Sequence, residues 1–173
     1  THPQSLRCAF IAVQMKGAIV NRLDLPPVKA EKALSRDALS YLGTTPITNN
    51  PAAIAALKAS DLVLDLMTLL FSPEQGEILE SGTKILLAVE PPEILVRAVP
   101  TQADRTRVLR AAQKIEQART MRITSAAGTH LHCPIGEFPA ISEYGFVDEP
   151  GRWDHWPSGF VLTWPNEGGA SGT

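Results

Sequence analysis

Asp61-Leu-Val-Leu-Asp-Leu-Met67, followed by Ser72-Pro-Glu-Gln75 and then Lys84-Ile-Leu-Leu-Ala-Val89, is the part of the chain from which its architecture is most readable. The two outer runs are aliphatic and of strand length. Between them, Ser72 can cap a helix whose first turn holds Pro73 and Glu74, where a missing N–H and a negative charge are both accommodated. Gly82 is placed to end that helix. The run 84–89 is almost wholly apolar, as expected of a strand covered on both faces. Strand, helix and strand in this order predict parallel pairing through a crossover.

The same alternation extends outward. Asn50-Pro51 heads an Ala-rich helix reaching Ser60. Pro3 to Lys16 has apolar residues at Leu6, Phe10 and Val13, which predicts an amphipathic helix stopped by Gly17. Ala18 to Leu25 reads as a strand ended by Pro26-Pro27. Pro91-Pro92 introduces a short helix through Ala98. A longer one, from Thr101 to about Thr120, turns Val108, Ala111, Ala112, Ile115 and Ala118 inward and its arginines outward. Beyond residue 120 the pattern changes to short strands at Met121–Thr124, Thr129–Cys133 and Phe160–Thr163, separated by Gly/Pro-rich loops. The tail at 168–172 reads as loop. The expected fold is α/β, a mostly parallel sheet flanked by helices over residues 1–122, then a loop-rich segment of short strands over 123–173.

The chain has 173 residues, 44% of them hydrophobic, and a net charge of −2. That length can bury roughly two-thirds of its unfolded surface in one globular domain. Near-neutral charge argues against bulk electrostatic binding of nucleic acid, and no run of about 18 apolar residues could span a bilayer. With only Cys8 and Cys133, a disulfide framework is not expected, and a reducing cytoplasm suits the composition. The initial Thr1 and the lack of a secretory leader suggest a processed or cut chain. Charge is segregated: six Arg or Lys fall between Thr101 and Arg122, whereas Arg152 is the single cation from Thr124 onward. All three tryptophans, Trp153, Trp156 and Trp164, lie in that acidic last quarter.

Three places could carry chemistry. His130 and His132 would share one face of a strand, half of a metal site, with Cys133 on the other face; a strand beside a polar surface explains them equally well. Glu143 and the pair Asp148-Glu149 could serve as acid and base if burial separated their pKa values; exposed loop acids are the plainer alternative. His155, in Trp153-Asp154-His155-Trp156, could act as a general base beside a flat substrate. The alternative there is a packed loop in which Arg152 pairs with Asp154 and the tryptophans fill core. Dinucleotide, P-loop and nucleophile-elbow motifs are absent from the sequence.

The segments Ala59-Ser-Asp-Leu-Val-Leu-Asp65, Ser72-Pro-Glu-Gln75, Ile85-Leu-Leu-Ala-Val-Glu-Pro-Pro-Glu93 and Thr163-Trp-Pro-Asn-Glu167 resemble the 2,5-dihydroxypyridine 5,6-dioxygenase family. The strongest match is Glu143-Tyr-Gly-Phe-Val-Asp-Glu-Pro-Gly-Arg-Trp-Asp-His-Trp-Pro-Ser-Gly-Phe160. The resemblance implies a non-heme iron(II) enzyme acting on a small aromatic N-heterocycle and O2, yielding N-formylmaleamate, and a homo-oligomer when full length. It implies iron held by two histidines and an aspartate, in a C-terminal half that this chain does not include, so no metal ligand is expected in these residues and the isolated chain should be inactive. On the positions matched, it implies that His155 is the acid/base histidine, Glu143 a substrate-binding acid and Leu70 an apolar pocket residue. Neither His130 nor His132 matches an iron ligand. The family is distantly similar to aminopeptidase T type metallopeptidases, so a leucyl-aminopeptidase-like activity is the alternative from another class, and a non-catalytic binding domain is a third.

Overall fold

The computed structural model describes residues 7, 11, 14–25, 33–34, 41–42, 45–67 and 69–173. Within them the chain divides into two compact units, Thr1–Val99 with Gly145–Pro157, and Pro100–Tyr144 with Ser158–Thr173.

The first unit is organised around a three-stranded parallel sheet of β3 (Leu62–Asp65), β4 (Lys84–Leu87) and β8 (Trp153–His155), with β4 in the centre. Helix α1 (Pro51–Lys58) enters this unit with Asn50 accepting the Ala53 N–H, and α2 (Pro73–Glu80) with Ser72 accepting the Gln75 N–H. Both caps satisfy donors that a helix start leaves open. Ile47, Ala53, Val63, Leu69, Ile78 and Ile85 form the core, with Leu79 and Trp153 packed against it. Val63, Asp65, Ile85 and Leu87 are buried on the core side of the sheet, whereas Leu62 on the other side is 41% exposed. Within the apolar run at 84–89, the strand is thus buried on one face, not both: Lys84 and Leu86 are half-buried, and Val89 beyond the strand is exposed. Thr83 ties the sheet to the end of α1, its hydroxyl lying within 3.2 Å of the Leu57, Lys58 and Ser60 carbonyls. A short helix α3 (Pro92–Arg97) follows β4.

The strand β8 was not expected, because Trp153–His155 lies between Gly151 and Pro157 in a stretch that reads as loop. Parallel pairing supplies what local sequence lacks: Ile85 donates to the Arg152 carbonyl at 3.0 Å, and Trp156 donates to Leu87 at 2.8 Å. Gly151 permits the approach. It has φ +68, and a Cβ there would stand 2.7 Å from the Leu79 carbonyl oxygen.

Two expectations nearer the N-terminus fare differently. Residues 7, 11, 14 and 15 are helical, residue 16 is turn and Gly17 follows with φ +69, consistent with the expected helix and its stop; the rest of 3–16 lies outside the described residues. Residues 18–25 form no strand. They are mostly exposed, Ile19 at 92%, with only Leu25 packing against the core, and Arg22 pairs locally with Asp24 at 2.6 Å. An apolar run with little buried surface has little to gain from extending into a ladder. Further on, β1 (Ala33–Leu34) and β2 (Tyr41–Leu42) pair antiparallel.

The second unit begins with helix α4 (Gln102–Gln117), opened by a reciprocal Thr101/Asp104 capping box. Val108 and Ala112 are buried along it, while Ala111, expected inward, is exposed. Strands β5 (Thr120–Thr124) and β6 (His130–Pro134) form an antiparallel pair. The tail expected as loop adds β10 (Ser171–Gly172) to the other edge of β6. Strands β7 (Ile141–Glu143) and β9 (Phe160–Leu162) form a second antiparallel pair, on which α4 packs. The α/β class and the change after residue 120 to short strands without a helix both hold among the described residues.

Candidate functional site

In the first unit, Asp65, Leu87 and His155 stand in register, one at the carboxyl end of each parallel strand. In sheets of this kind, ligands are bound at the carboxyl ends, where the connecting loops diverge. His155 is half-buried there. Two residues earlier on the same strand side, Trp153 stacks on the His155 ring, with centroids 6.0 Å apart and planes 29° apart. The Phe71 ring meets Trp153 from the β3–α2 connection at 5.9 Å. Trp156, just after His155, donates its indole N–H to the Ala98 carbonyl at 2.9 Å. The imidazole is therefore carried on a strand end whose neighbours are fixed on both sides.

Asp154, between Trp153 and His155 on β8, is completely buried, and a carboxylate oxygen lies within 4.8 Å of a His155 ring nitrogen. Its carboxylate accepts from Arg152 at 2.7 Å, from the Gly145 N–H at 3.0 Å and from the His155 main-chain N–H at 2.8 Å. Arg152 also donates Nε to the Phe146 carbonyl at 2.8 Å. The Arg152–Asp154 pair named in the packed-loop alternative is present in the structure. A buried carboxylate needs such donors, and these ones shape the segment leading into β8.

The connection after β3 is held by a second buried acid that carried no expectation. Asp65 is 2% exposed and accepts the Met67 and Leu69 N–H groups at 2.8 and 2.7 Å. Leu70, half-buried, follows in this turn. Phe71 then takes φ +57, a region sparsely used by bulky residues, and Gln75 Oε1 accepts its N–H at 2.7 Å. The available signal was an acid ending an apolar strand, followed by Ser-x-x-Gln.

Glu143 stands in the second unit, at the end of β7, and is 4% exposed. It pairs with Phe160, and its carbonyl accepts the Gly159 N–H at 3.0 Å. Tyr144 beside it is buried under the Arg105 guanidinium, 5.2 Å above the ring. The structure thus places Leu70 and His155 in the first unit and Glu143 in the second. Asp148 and Glu149 are exposed, without the burial that would separate two carboxylates into acid and base.

His130 and His132 do share the exposed side of β6, with Cys133 buried opposite. His132 is paired with Arg122 across the ladder, a cation where a metal site needs a ligand. Among the described residues, no cluster of three metal-binding side chains contains two histidines. These residues therefore do not fit the two-histidine, one-carboxylate set.

Comparison with known proteins agrees along the whole chain. The NicX family, described as 2,5-dihydroxypyridine 5,6-dioxygenase, matches residues 1–173. A curated protein of that name from Pseudomonas putida KT2440 is 52% identical over 171 residues, covering 99% of this chain and 49% of the relative. A solved structure of 2,5-dihydroxypyridine dioxygenase from the same strain superposes with a TM-score of 0.88 at 50% identity, again over 99% of this chain and 50% of that one. This chain spans about half the length of the relatives it matches. Both relatives are named as dioxygenases, not as peptidases.

Proposed function

This chain belongs to the 2,5-dihydroxypyridine 5,6-dioxygenase family, and on that premise we propose that it is part of an enzyme that opens the ring of 2,5-dihydroxypyridine with O2. Both oxygen atoms enter the product, N-formylmaleamate, and no external reductant is needed. Iron(II), implied by the family resemblance, would supply the oxygen chemistry from ligands outside the described residues. In this reading residues 1–122 are scaffold and residues 123–173 contribute the substrate-facing wall.

His155 is the proposed acid/base group. An imidazole can take the proton of a ring hydroxyl near neutral pH, leaving the pyridine ring richer in electrons and more reactive toward oxygen. The observation that supports this role is its position at the carboxyl end of β8, stacked on Trp153 and in register with Leu87. Glu143 is proposed to hydrogen-bond the substrate and Leu70 to line its apolar side, both on the family match. Among the described residues no helix is long and apolar enough to cross a membrane; a cytoplasmic location is proposed from the sparse cysteine content, Cys133 being a free thiol.

In the complete enzyme, His155→Ala should lower 2,5-dihydroxypyridine consumption by roughly 10²- to 10⁴-fold, the usual worth of a positioned acid/base group, while bound iron stays near wild type. Substrate loss followed by absorbance and iron measured by a chelator assay check both halves. Loss of iron with the activity would make His155 a ligand and refute the acid/base role.

A further inference from the structure

Gln75 is a polar residue with 4% exposure in the first turn of α2. In a capping box the third helical residue turns its side chain back to the N-cap N–H. Gln75 reaches one residue further. Its own N–H goes to Ser72 Oγ at 3.1 Å, while its Oε1 takes the N–H of Phe71 at 2.7 Å. That bond holds Phe71 at φ +57, and the Phe71 ring then bears on Trp153 at 5.9 Å. Trp153 in turn stacks on His155 at 6.0 Å.

The other end of the carboxamide gives a second observation. Gln75 Nε2 and Trp153 Nε1 are both buried without a hydrogen-bond partner among the described residues. With one bond made and one donor unused, the acceptor end is what the carboxamide contributes here. A leucine of similar size would bury equally well and would leave the Phe71 N–H unmatched.

We propose that Gln75 is a positioning residue for His155, acting through the Phe71 main chain, the Phe71 ring and the Trp153 indole. The proposed action is indirect, not through contact with the reacting groups. Its effect is to set where the imidazole stands and which way the ring faces. The inference rests on the acid/base reading of His155 for its catalytic consequence, but the mechanical link can be read without turnover.

The test compares Gln75→Leu, Gln75→Glu and Phe71→Leu in the complete enzyme. The Hε1 resonance of His155, assigned by its loss in His155→Ala, is recorded in the metal-free protein. The indole ring current makes it sensitive to the Trp153 stack. Gln75→Leu should move that resonance, shift the imidazole limb of the pH–rate profile, and lower kcat on the order of 10- to 100-fold with a smaller change in KM, as expected of a misplaced catalytic group. Gln75→Glu keeps an acceptor oxygen for the Phe71 N–H and should restore both readouts towards wild type. If Gln75→Leu does not fold, Phe71→Leu takes its place: it removes the ring, keeps the main-chain bond, and should move the same resonance. An unmoved resonance and an unmoved pH profile in a folded Gln75→Leu or Phe71→Leu would overturn the proposal, as would a Gln75→Glu no better than the leucine variant. Turnover retained by His155→Ala, alongside a moved resonance in Gln75→Leu, would instead sink the acid/base reading and leave the link standing.

Discussion

At the scale of single residues, the two buried carboxylates of the first unit shape the ground around His155. Asp65 folds the chain leaving β3 by accepting two main-chain donors, and Asp154 binds Arg152 and the main chain leading into β8. Neither needs to meet a ligand to matter. Removing Asp154 leaves the largely buried Arg152 guanidinium, 18% exposed, without its partner and strips the acceptor from two N–H groups. Asp154→Ala should therefore destabilise the protein by about 3 kcal/mol or more, read by chemical denaturation. A loss below about 0.5 kcal/mol, the range of ordinary surface changes, would show that the pair is not structural. Asp154 was visible in the sequence as a neighbour of Arg152 and His155, but its complete burial was not. Its contact with the Gly145 N–H is likewise supplied only by folding.

Among the elements, helix starts were the most legible because their chemistry is local. Ser72-Pro-Glu-Gln75 announces α2, and its hydroxyl does accept the Gln75 N–H. Ser72→Ala should cost about 1 kcal/mol and lower Tm by about 3 °C for a protein of this size, checked by a thermal melt; an unchanged Tm would mean that the cap contributes nothing. Helix α4 depends on pH at its start. Hydrogen bonds from the Thr101 hydroxyl and then its N–H, followed by the Arg107 charge, hold the Asp104 carboxyl below its ordinary range. A group with a depressed folded pKa contributes stability above its unfolded pKa and loses it as the pH falls through the folded one. The α4 contribution should thus be complete at neutral pH and fade in acid, and Thr101→Ala should raise the Asp104 midpoint, followed by carboxyl NMR titration. A midpoint that does not rise would contradict the cap. Strands were less legible in proportion to how far away their partners lie: β3 and β4 announce themselves by composition, whereas β8 exists because β4 offers it an edge 66 residues earlier, counted from Leu87 to Trp153. The run at 18–25 is the converse, apolar enough to suggest a strand but largely exposed.

For the molecule as a whole, the parallel sheet of the first unit sets which amides should be most protected. Strand β4 is paired on both edges and carries the buried Ile85 and Leu87, whereas residues 18–25 lie outside regular structure and are mostly exposed. Hydrogen exchange should find peptides over 84–87 among the slowest of this unit and those over 18–25 among the fastest; the reverse order would contradict the sheet. Sequence by itself determined the α/β class, the capped helices, the two aliphatic strands and the family, since capping, composition and a long unusual motif are properties of neighbouring residues. It also singled out His155, Glu143 and Leu70. The tertiary structure alone decided that His155 ends a parallel strand in register with Leu87 and Asp65, that Asp154 is completely buried, and that Glu143 belongs to a different compact unit. Those facts depend on pairings between segments tens of residues apart, whose energy comes from burial and ladder hydrogen bonds that no local stretch contains.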